Sequence, residues 1–485
     1  MASPLHPPAA LALGAVLALA SAAAPSFADD GHAPRFASRT ALAPNPRGLA
    51  ATFSAGGPID RSNPFFQSLG SNGRSCASCH VQSEGWTVTP AGLRRRFRES
   101  NGFDPVFRLV DGANSPRADV STLDARRAAF SMLLDKGLIR VGIGVPPDAE
   151  FELAAVDDPY GYANVSQLSL FRRPLPSTNV RFLSTVMWDG RETLPDPSSG
   201  DCLFGTTTCF ASVHTDLMHQ SNDATLGHAQ ASMPLTDLQQ LQIASFEQSL
   251  YTAQLFDRRA GWLDREGARG GPAYLATLTP YFGINDTLIG DYRTHAGFNP
   301  EAMTLYSAWD RAWAPAGRHE DDEHGSVQAR RAIARGQALF NGRGFTISGV
   351  KGLNDALGVA ALPGTCTTCH NTPQAGNHSI PLPLDIGIAD ASRRTPDLPL
   401  YTLRRKASGE LVQTTDPGRA LITGRWADIG RFKGPTLRGL AARPPYFHNG
   451  SAASLREVVD FYDQRFRIGL SEQDKDDLVA FLDAL

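Results

Sequence analysis

The pentapeptide Cys76-Ala77-Ser78-Cys79-His80 returns once, far down the chain, as Cys366-Thr367-Thr368-Cys369-His370. Two thiols three residues apart, followed at once by an imidazole, are what covalent haem attachment requires. The sulfurs add to the two vinyl groups, and the adjacent histidine meets the iron from one side. With 6 Cys and 12 His in 485 residues, chance would supply about 0.002 such motifs. Two Cys-x-x-Cys pairs would also make a tetrahedral zinc site, and one pair a thioredoxin-like redox centre. Neither chemistry calls for histidine directly after the second cysteine, and both copies have it. Two covalently bound haem c groups are therefore expected, on Cys76, Cys79 and His80 and on Cys366, Cys369 and His370.

The N-terminus bears on the same chemistry. Ala9 to Ala24 is almost wholly Ala, Leu, Val and Gly, short for a membrane span, and Ser26-Phe27-Ala28 has the small-x-small form of a cleavage site. Residues 1–28 are read as a secretory signal peptide. A retained anchor is the alternative, because Met1 to Pro8 holds no Lys or Arg. Export places the protein in the periplasm, where haem c is attached. There Cys202 and Cys209 would also oxidise and close a local loop, worth roughly 2–3 kcal/mol. No later segment is apolar for long enough to span a bilayer. With 46 basic and 49 acidic residues the net charge is −3, which gives no electrostatic case for nucleic acid. The one basic run, Arg94-Arg95-Arg96-Phe97-Arg98, reads first as a solvated helix face, and second as a contact for haem propionates or an acidic partner.

A chain of this length makes two or three domains. The expected fold class is mainly α: two cytochrome c-like haem domains packed against each other, over 29–310 and 311–485. Apolar spacing predicts helices at Pro64–Leu69, Leu123–Lys136, Asp216–Gln230, Val327–Phe340, Leu455–Tyr462 and Ser471–Leu485, the last opening on a capping box. Another is predicted from Pro234 to about Phe256, with Leu238, Leu241, Ser245, Phe246, Leu250 and Ala253 facing inward. Leu138 to Val145 reads as a strand or a loop. His319 to His324 reads as a charged linker before it reads as a metal site.

Since each motif brings one histidine to its iron, the sixth coordination position sets the function. An occupied iron carries electrons, and an open one binds peroxide. All six methionines precede the second motif. A local sixth ligand there is therefore His378, His448, a tyrosine (Tyr401, Tyr446 or Tyr462), a lysine, or none.

Three further segments carry a resemblance: Phe432-Lys433-Gly434-Pro435-Thr436-Leu437-Arg438, Pro445 to Ser451, and Ser454 to Tyr462. They resemble the tail of the bacterial di-haem cytochrome c peroxidases, and Met187-Trp188-Asp189-Gly190-Arg191 is similar to the family's motif for the tryptophan between its haems. The resemblance implies peroxide chemistry at the N-terminal haem, electron entry through the C-terminal haem, and Trp188 between them. It implies an axial role for Tyr462, whose position is methionine in the peroxidases and tyrosine in the related enzyme that matures methylamine dehydrogenase; packing in the helix is the alternative. His448 is carried over as a residue beside the C-terminal haem. An inter-haem calcium is implied at the carbonyls of Arg443 and Pro445, with Asn179 an approximate match for its Asn.

The family's distal Glu segment is replaced here. Gln220 and His228, on one helix face with Ala224, are its best substitutes, ahead of His214 and His219. His228 is open to three readings: a distal acid–base group, a ligand that closes the first haem, or a surface residue. The functional expectation is an exported di-haem oxidoreductase that reduces hydrogen peroxide, served by a small donor such as a cytochrome c or cupredoxin. The alternatives are a peroxide-dependent oxidase of a protein or organic substrate, and a non-enzymatic electron carrier.

Overall fold

The computed structural model describes residues 39–310 and 323–485. The expected signal peptide and residues 319–322 of the charged linker, His319 among them, lie outside the described residues.

The expectation of a mainly α protein is overturned: 30% of the chain is helical and 18% is in strands, spread over several sheets. The clearest departure follows Pro234. The helix there is Asp237–Ser249, capped by Thr236 with Gln239, and the chain then turns directly into the strand Leu250–Asp257. Its first five residues are all buried, which a strand covered on both faces achieves and a helix with one inner stripe does not. Hydrophobic spacing alone does not separate the two. The inner face of the helix is also rotated from the expected stripe. Leu238 and Leu241 are 62% and 44% exposed, while Ile243, Ala244, Phe246 and Glu247 point inward.

Leu250–Asp257 is third in a four-stranded antiparallel sheet, in the order Thr40–Asn45, Gly48–Ser54, Leu250–Asp257 and Gly261–Trp262. The first hairpin turns on Asn45, whose Oδ1 accepts from the backbone of Arg47 and Gly48, both at 3.0 Å. Gly48 is needed there, because a Cβ would stand 2.1 Å from the Phe256 carbonyl oxygen. In a second sheet Leu400–Arg405 lies between Leu411–Thr414 and Phe151–Asp157, so residues from both sides of position 310 share one ladder. A third pairing, Ile139–Ile143 with Leu168–Arg172, resolves the strand-or-loop ambiguity and leads into Arg173-Pro174-Leu175-Pro176.

The helices run close to expectation. Leu123 to Lys136 is two helices, Leu123–Ala129 and Ser131–Lys136, broken at Phe130, which is buried. The helix expected from Asp216 begins at Val213, where Ser212 caps it, and ends at Gly227. Glu323–Gly342, Leu455–Phe466 and Glu472–Asp483 enclose the largest core cluster, built on Tyr306, Trp309, Phe340 and Phe481. Ser471 and Asp474 form the expected capping box. Cys202 and Cys209 are disulfide-bonded.

Candidate haem sites

The two motifs fold alike. Cys76–Ser78 and Cys366–Thr368 are single 3-10 turns, each held by a hydroxyl that accepts from the amide three residues back, Ser78 from Ser75 at 3.1 Å and Thr368 from Thr365 at 2.9 Å. His80 and His370 close each turn through their amides, which donate to the Cys76 and Cys366 carbonyls at 3.0 and 3.1 Å. Their Nδ1 atoms bond outward, His80 to the Trp86 carbonyl at 3.1 Å and His370 to the Gly376 carbonyl at 2.6 Å. A carbonyl accepts only from N–H, so the proton is on Nδ1 and the Nε2 lone pair is left for a metal. Burial pushes both imidazoles down to about 4, which keeps them neutral at pH 7. The four motif thiols are free, and burial pushes Cys76, Cys366 and Cys369 up to about 12. Each motif opens on a largely apolar cavity, walled by Leu69, Val186 and Leu217 for the first and by Ile347, Leu384 and Val459 for the second. Two thiols, one free imidazole nitrogen and an apolar slot fit haem c.

Gln220, Ala224 and His228 all line the N-terminal cavity, as their helical spacing implies. His228 caps the helix end and its Nδ1 bonds the Asp111 carboxylate, which also pairs with Arg74. Burial works against ionisation of Asp111, yet His228 and Arg74 hold its carboxyl below the usual range. His214 and His219 do not line the cavity; their Nδ1 atoms bond Gln248 at 2.8 Å and Glu192 at 2.7 Å.

Two of this cavity's acidic groups escape a sequence reading. Asp111 lies in a run of turns with no motif. Glu247 sits on the helix whose stripe the apolar spacing misplaces, although its i−4 partner Ile243 lines the same cavity. Glu247 Oε2 has no hydrogen-bond partner, and burial pushes the carboxyl up to about 8.

In the C-terminal cavity Tyr462, His378, His448 and Tyr446 stand with His370. Tyr462 stacks on Phe466, with ring centroids 6.2 Å apart. Burial raises its phenol, as do the nearby Cys369 and Cys366 sulfurs. His378 and His448 are buried with unpartnered Nε2 atoms, and burial pushes both down to about 4. His448 stacks on Phe432 at 3.9 Å. Tyr401 is elsewhere, bonded through its hydroxyl to the Ser169 backbone.

Trp188 lines both cavities. Its Nε1 donates to the Arg173 carbonyl at 2.8 Å, and its own carbonyl accepts from the Lys433 amide at 2.9 Å. The next residue, Asp189, is fully buried between Arg172 at 2.5 Å and Arg191 at 3.0 Å, and Arg172 also pairs with Asp416 at 2.7 Å. The indole is thus fixed on both sides.

No protein-family model matches the chain. Cytochrome-c peroxidase IdrP1 of Pseudomonas sp. (strain SCT) is 27% identical over 235 residues, 44% of this chain and 54% of that protein. Cytochrome-c peroxidase IdrP2 of Denitromonas iodatirespirans is 34% identical over 132 residues, 25% of this chain and 36% of its own. Cytochrome c551 peroxidase of Nitrosomonas europaea is 33% identical over 126 residues, 25% and 30% of the two chains. The alignments thus span about half, or less, of these relatives. They bear out the sequence recognition: the chain is a relative of the bacterial cytochrome c peroxidases. A solved MauG-like protein associated with microbial copper homeostasis aligns over 87% of this chain and 86% of its own, at 16% identity and a TM-score of 0.35. Among the described residues no helix is long and apolar enough to cross a membrane.

Glu247 gives a pH signature. An unfolded glutamate loses its proton near ~4.3, whereas the folded one holds it to about 8. Between these values the folded state binds more protons, so this contribution to stability falls as pH rises. Glu247→Gln is expected to gain stability relative to the native protein on going from about pH 5 to about pH 8, read by urea unfolding at both. Equal slopes with pH would show that the carboxyl titrates normally.

Proposed function

We propose that the protein is an exported oxidoreductase with two haem c groups, which reduces hydrogen peroxide at the N-terminal haem with electrons relayed through the C-terminal haem. The observation that carries this reading is the wall common to the two motif-bearing cavities, with Trp188 in it. An aromatic ring couples two redox centres better than saturated packing does. The Cys202–Cys209 disulfide supports export to an oxidising compartment, and the donor is a small redox protein such as a cytochrome c or cupredoxin.

The bound haem supplies an iron that exchanges electrons and an open position for peroxide. Each peroxide takes up two electrons and two protons and leaves as two waters. His80 and His370 would offer Nε2 to the metals, because the Trp86 and Gly376 carbonyls hold their Nδ1 protons. The Asp111 carboxylate, which is held ionised, accepts the Nδ1 proton of His228 and leaves Nε2 to carry a proton within the cavity. Gln220 offers a neutral amide on the same wall. Asp189, Arg172 and Asp416 keep Trp188 in place, and of the three only Arg172 borders a cavity.

His228→Ala is expected to slow the reaction with peroxide by about 10²-fold, with the haem content unchanged. Trp188→Phe is expected to slow electron transfer between the haems while leaving both attached. Stopped-flow spectroscopy reads both variants, and native rates in Trp188→Phe would remove its bridging role.

A second reading, peroxide-dependent oxidation of a protein or organic substrate, is favoured by one residue. Tyr462 stands in the C-terminal cavity, where a phenolate on iron lowers the potential and favours the oxidised metal. Tyr462→Phe is expected to change the low-spin spectrum of the C-terminal haem and raise its potential, with the N-terminal haem nearly unaltered. An unchanged spectrum and potential would leave His378, His448 or an open position, and return the protein to plain peroxide reduction.

A further inference from the structure

The wall between the two cavities carries positive charge that no carboxylate among the described residues pairs with. Arg173 and Lys433, 5% and 6% exposed, line both cavities, and Arg443 lines the C-terminal one. Their hydrogen bonds go to backbone carbonyls. Lys433 Nζ donates to Thr185 at 2.9 Å, Arg173 to Gly137 and Arg443 at 3.3 Å each, and Arg443 to Thr436 at 2.7 Å. Among the described residues no carboxylate forms an ion pair with any of the three. Glu84, the carboxylate whose charge reaches Arg173, is occupied by the Thr89 amide and hydroxyl and by Arg95 at 3.7 Å.

Arg172, one residue before this group, shows the contrast. It is equally buried but sits between Asp189 and Asp416, which raise its pKa. Burial and mutual repulsion instead push Lys433 down to about 7 and Arg173 down to about 9, and burial pushes Arg443 down to about 10. Buried charge is retained where it meets an opposite charge, so the cluster is built for an anion. A haem anchored by thioethers at its vinyl edge turns its two propionate carboxylates away from the motif. Two haems bring four carboxylates to a protein that offers three cations without a carboxylate partner, Arg173 and Lys433 on the wall the cavities share and Arg443 beside it in the C-terminal cavity.

We propose that Arg173, Lys433 and Arg443 form one receptor for the propionates of both haems, and that these fixed cations take the place the family resemblance gives to calcium. The inference rests on the di-haem reading. Two of the three groups expected to bind calcium are otherwise engaged. The Asn179 amide bonds both backbone groups of Thr252, at 2.8 and 2.9 Å, and the Arg443 carbonyl accepts from Arg173. Calcium takes six to eight oxygen ligands, carboxylates among them, so a shared wall that carries Arg173 and Lys433, with Arg443 beside it, and no carboxylate does not fit it. A guanidinium on the Arg443 carbonyl does by covalent design what a bound metal would do by binding. Since the cations disfavour the more positive ferric state, they hold the potentials of both haems up, and because Lys433 borders both cavities its effect reaches both.

The test uses the holoprotein and its Lys433→Gln and Lys433→Arg variants. Haem content is read first by pyridine haemochrome; fewer than two haems in the native protein would remove the di-haem reading itself. With two haems present, spectropotentiometry is expected to show both potentials shifted negative in Lys433→Gln and near native in Lys433→Arg. Two unmoved potentials in Lys433→Gln, or a shift in one haem alone, would overturn the shared receptor. Elemental analysis of the native protein after dialysis against EGTA covers the case in which Lys433→Gln does not accumulate. No retained calcium, with spectrum and potentials unaltered when calcium is added back, is expected. One calcium per chain, or a spectrum that depends on it, would overturn the substitution of fixed cations for the metal.

Discussion

Two carbonyl oxygens decide what the motif histidines can do. Each accepts the Nδ1 proton of its imidazole and thereby aims a neutral Nε2 at the place of a metal. Both carbonyls depend on unusual backbone. Trp86 takes a positive φ of 58°, and its indole, fully buried, donates to Thr52 Oγ1 at 2.8 Å. Gly376 has φ of 72°, and a Cβ there would meet the Met303 side chain at 2.7 Å. The first histidine therefore relies on a strand far from its motif. Thr52 lies in Gly48–Ser54, and its hydroxyl bonds that of Thr252 across the ladder at 2.8 Å. The sheet that breaks the expectation of an α protein is thus part of the support of the first haem site.

What the sequence made legible were features that are local in the chain. The two pentapeptides, the disulfide, the capping box at Ser471 and the face shared by Gln220, Ala224 and His228 each need only a short window. The four-stranded sheet was not legible, because Leu250 to Gln254 has the same apolar character in a buried strand as on a helix. Glu247 was hidden for the same reason: the stripe through Leu238 and Leu241 looked more apolar than the face that is buried. Asp111, Arg74 and His228 meet from three separate segments, and Arg172 joins Asp416 from the other half of the chain. Nothing in a window of sequence marks such partners.

Buried cations along the cavity walls fall into two groups. Arg172 behind Trp188 and Arg74 behind His228 both border the N-terminal cavity and meet carboxylates directly. Among the described residues Arg173, Lys433 and Arg443 hydrogen-bond to carbonyls alone. The imidazoles differ in the same way: half-buried His228 has Asp111, while buried His378 and His448 keep unpartnered Nε2 atoms in the C-terminal cavity. Unsatisfied polar groups are costly inside a protein, and four residues that carry one, Ser177, Glu247, His378 and His448, line the two cavities.

All of this turns on two haems per chain. Intact mass of the mature protein together with a pyridine haemochrome assay tests it most directly. Two covalently attached haems are expected, and loss of one, with retention of the other, on changing both cysteines of either motif. A native protein with one haem or none, or with zinc at the cysteine pairs, would contradict it.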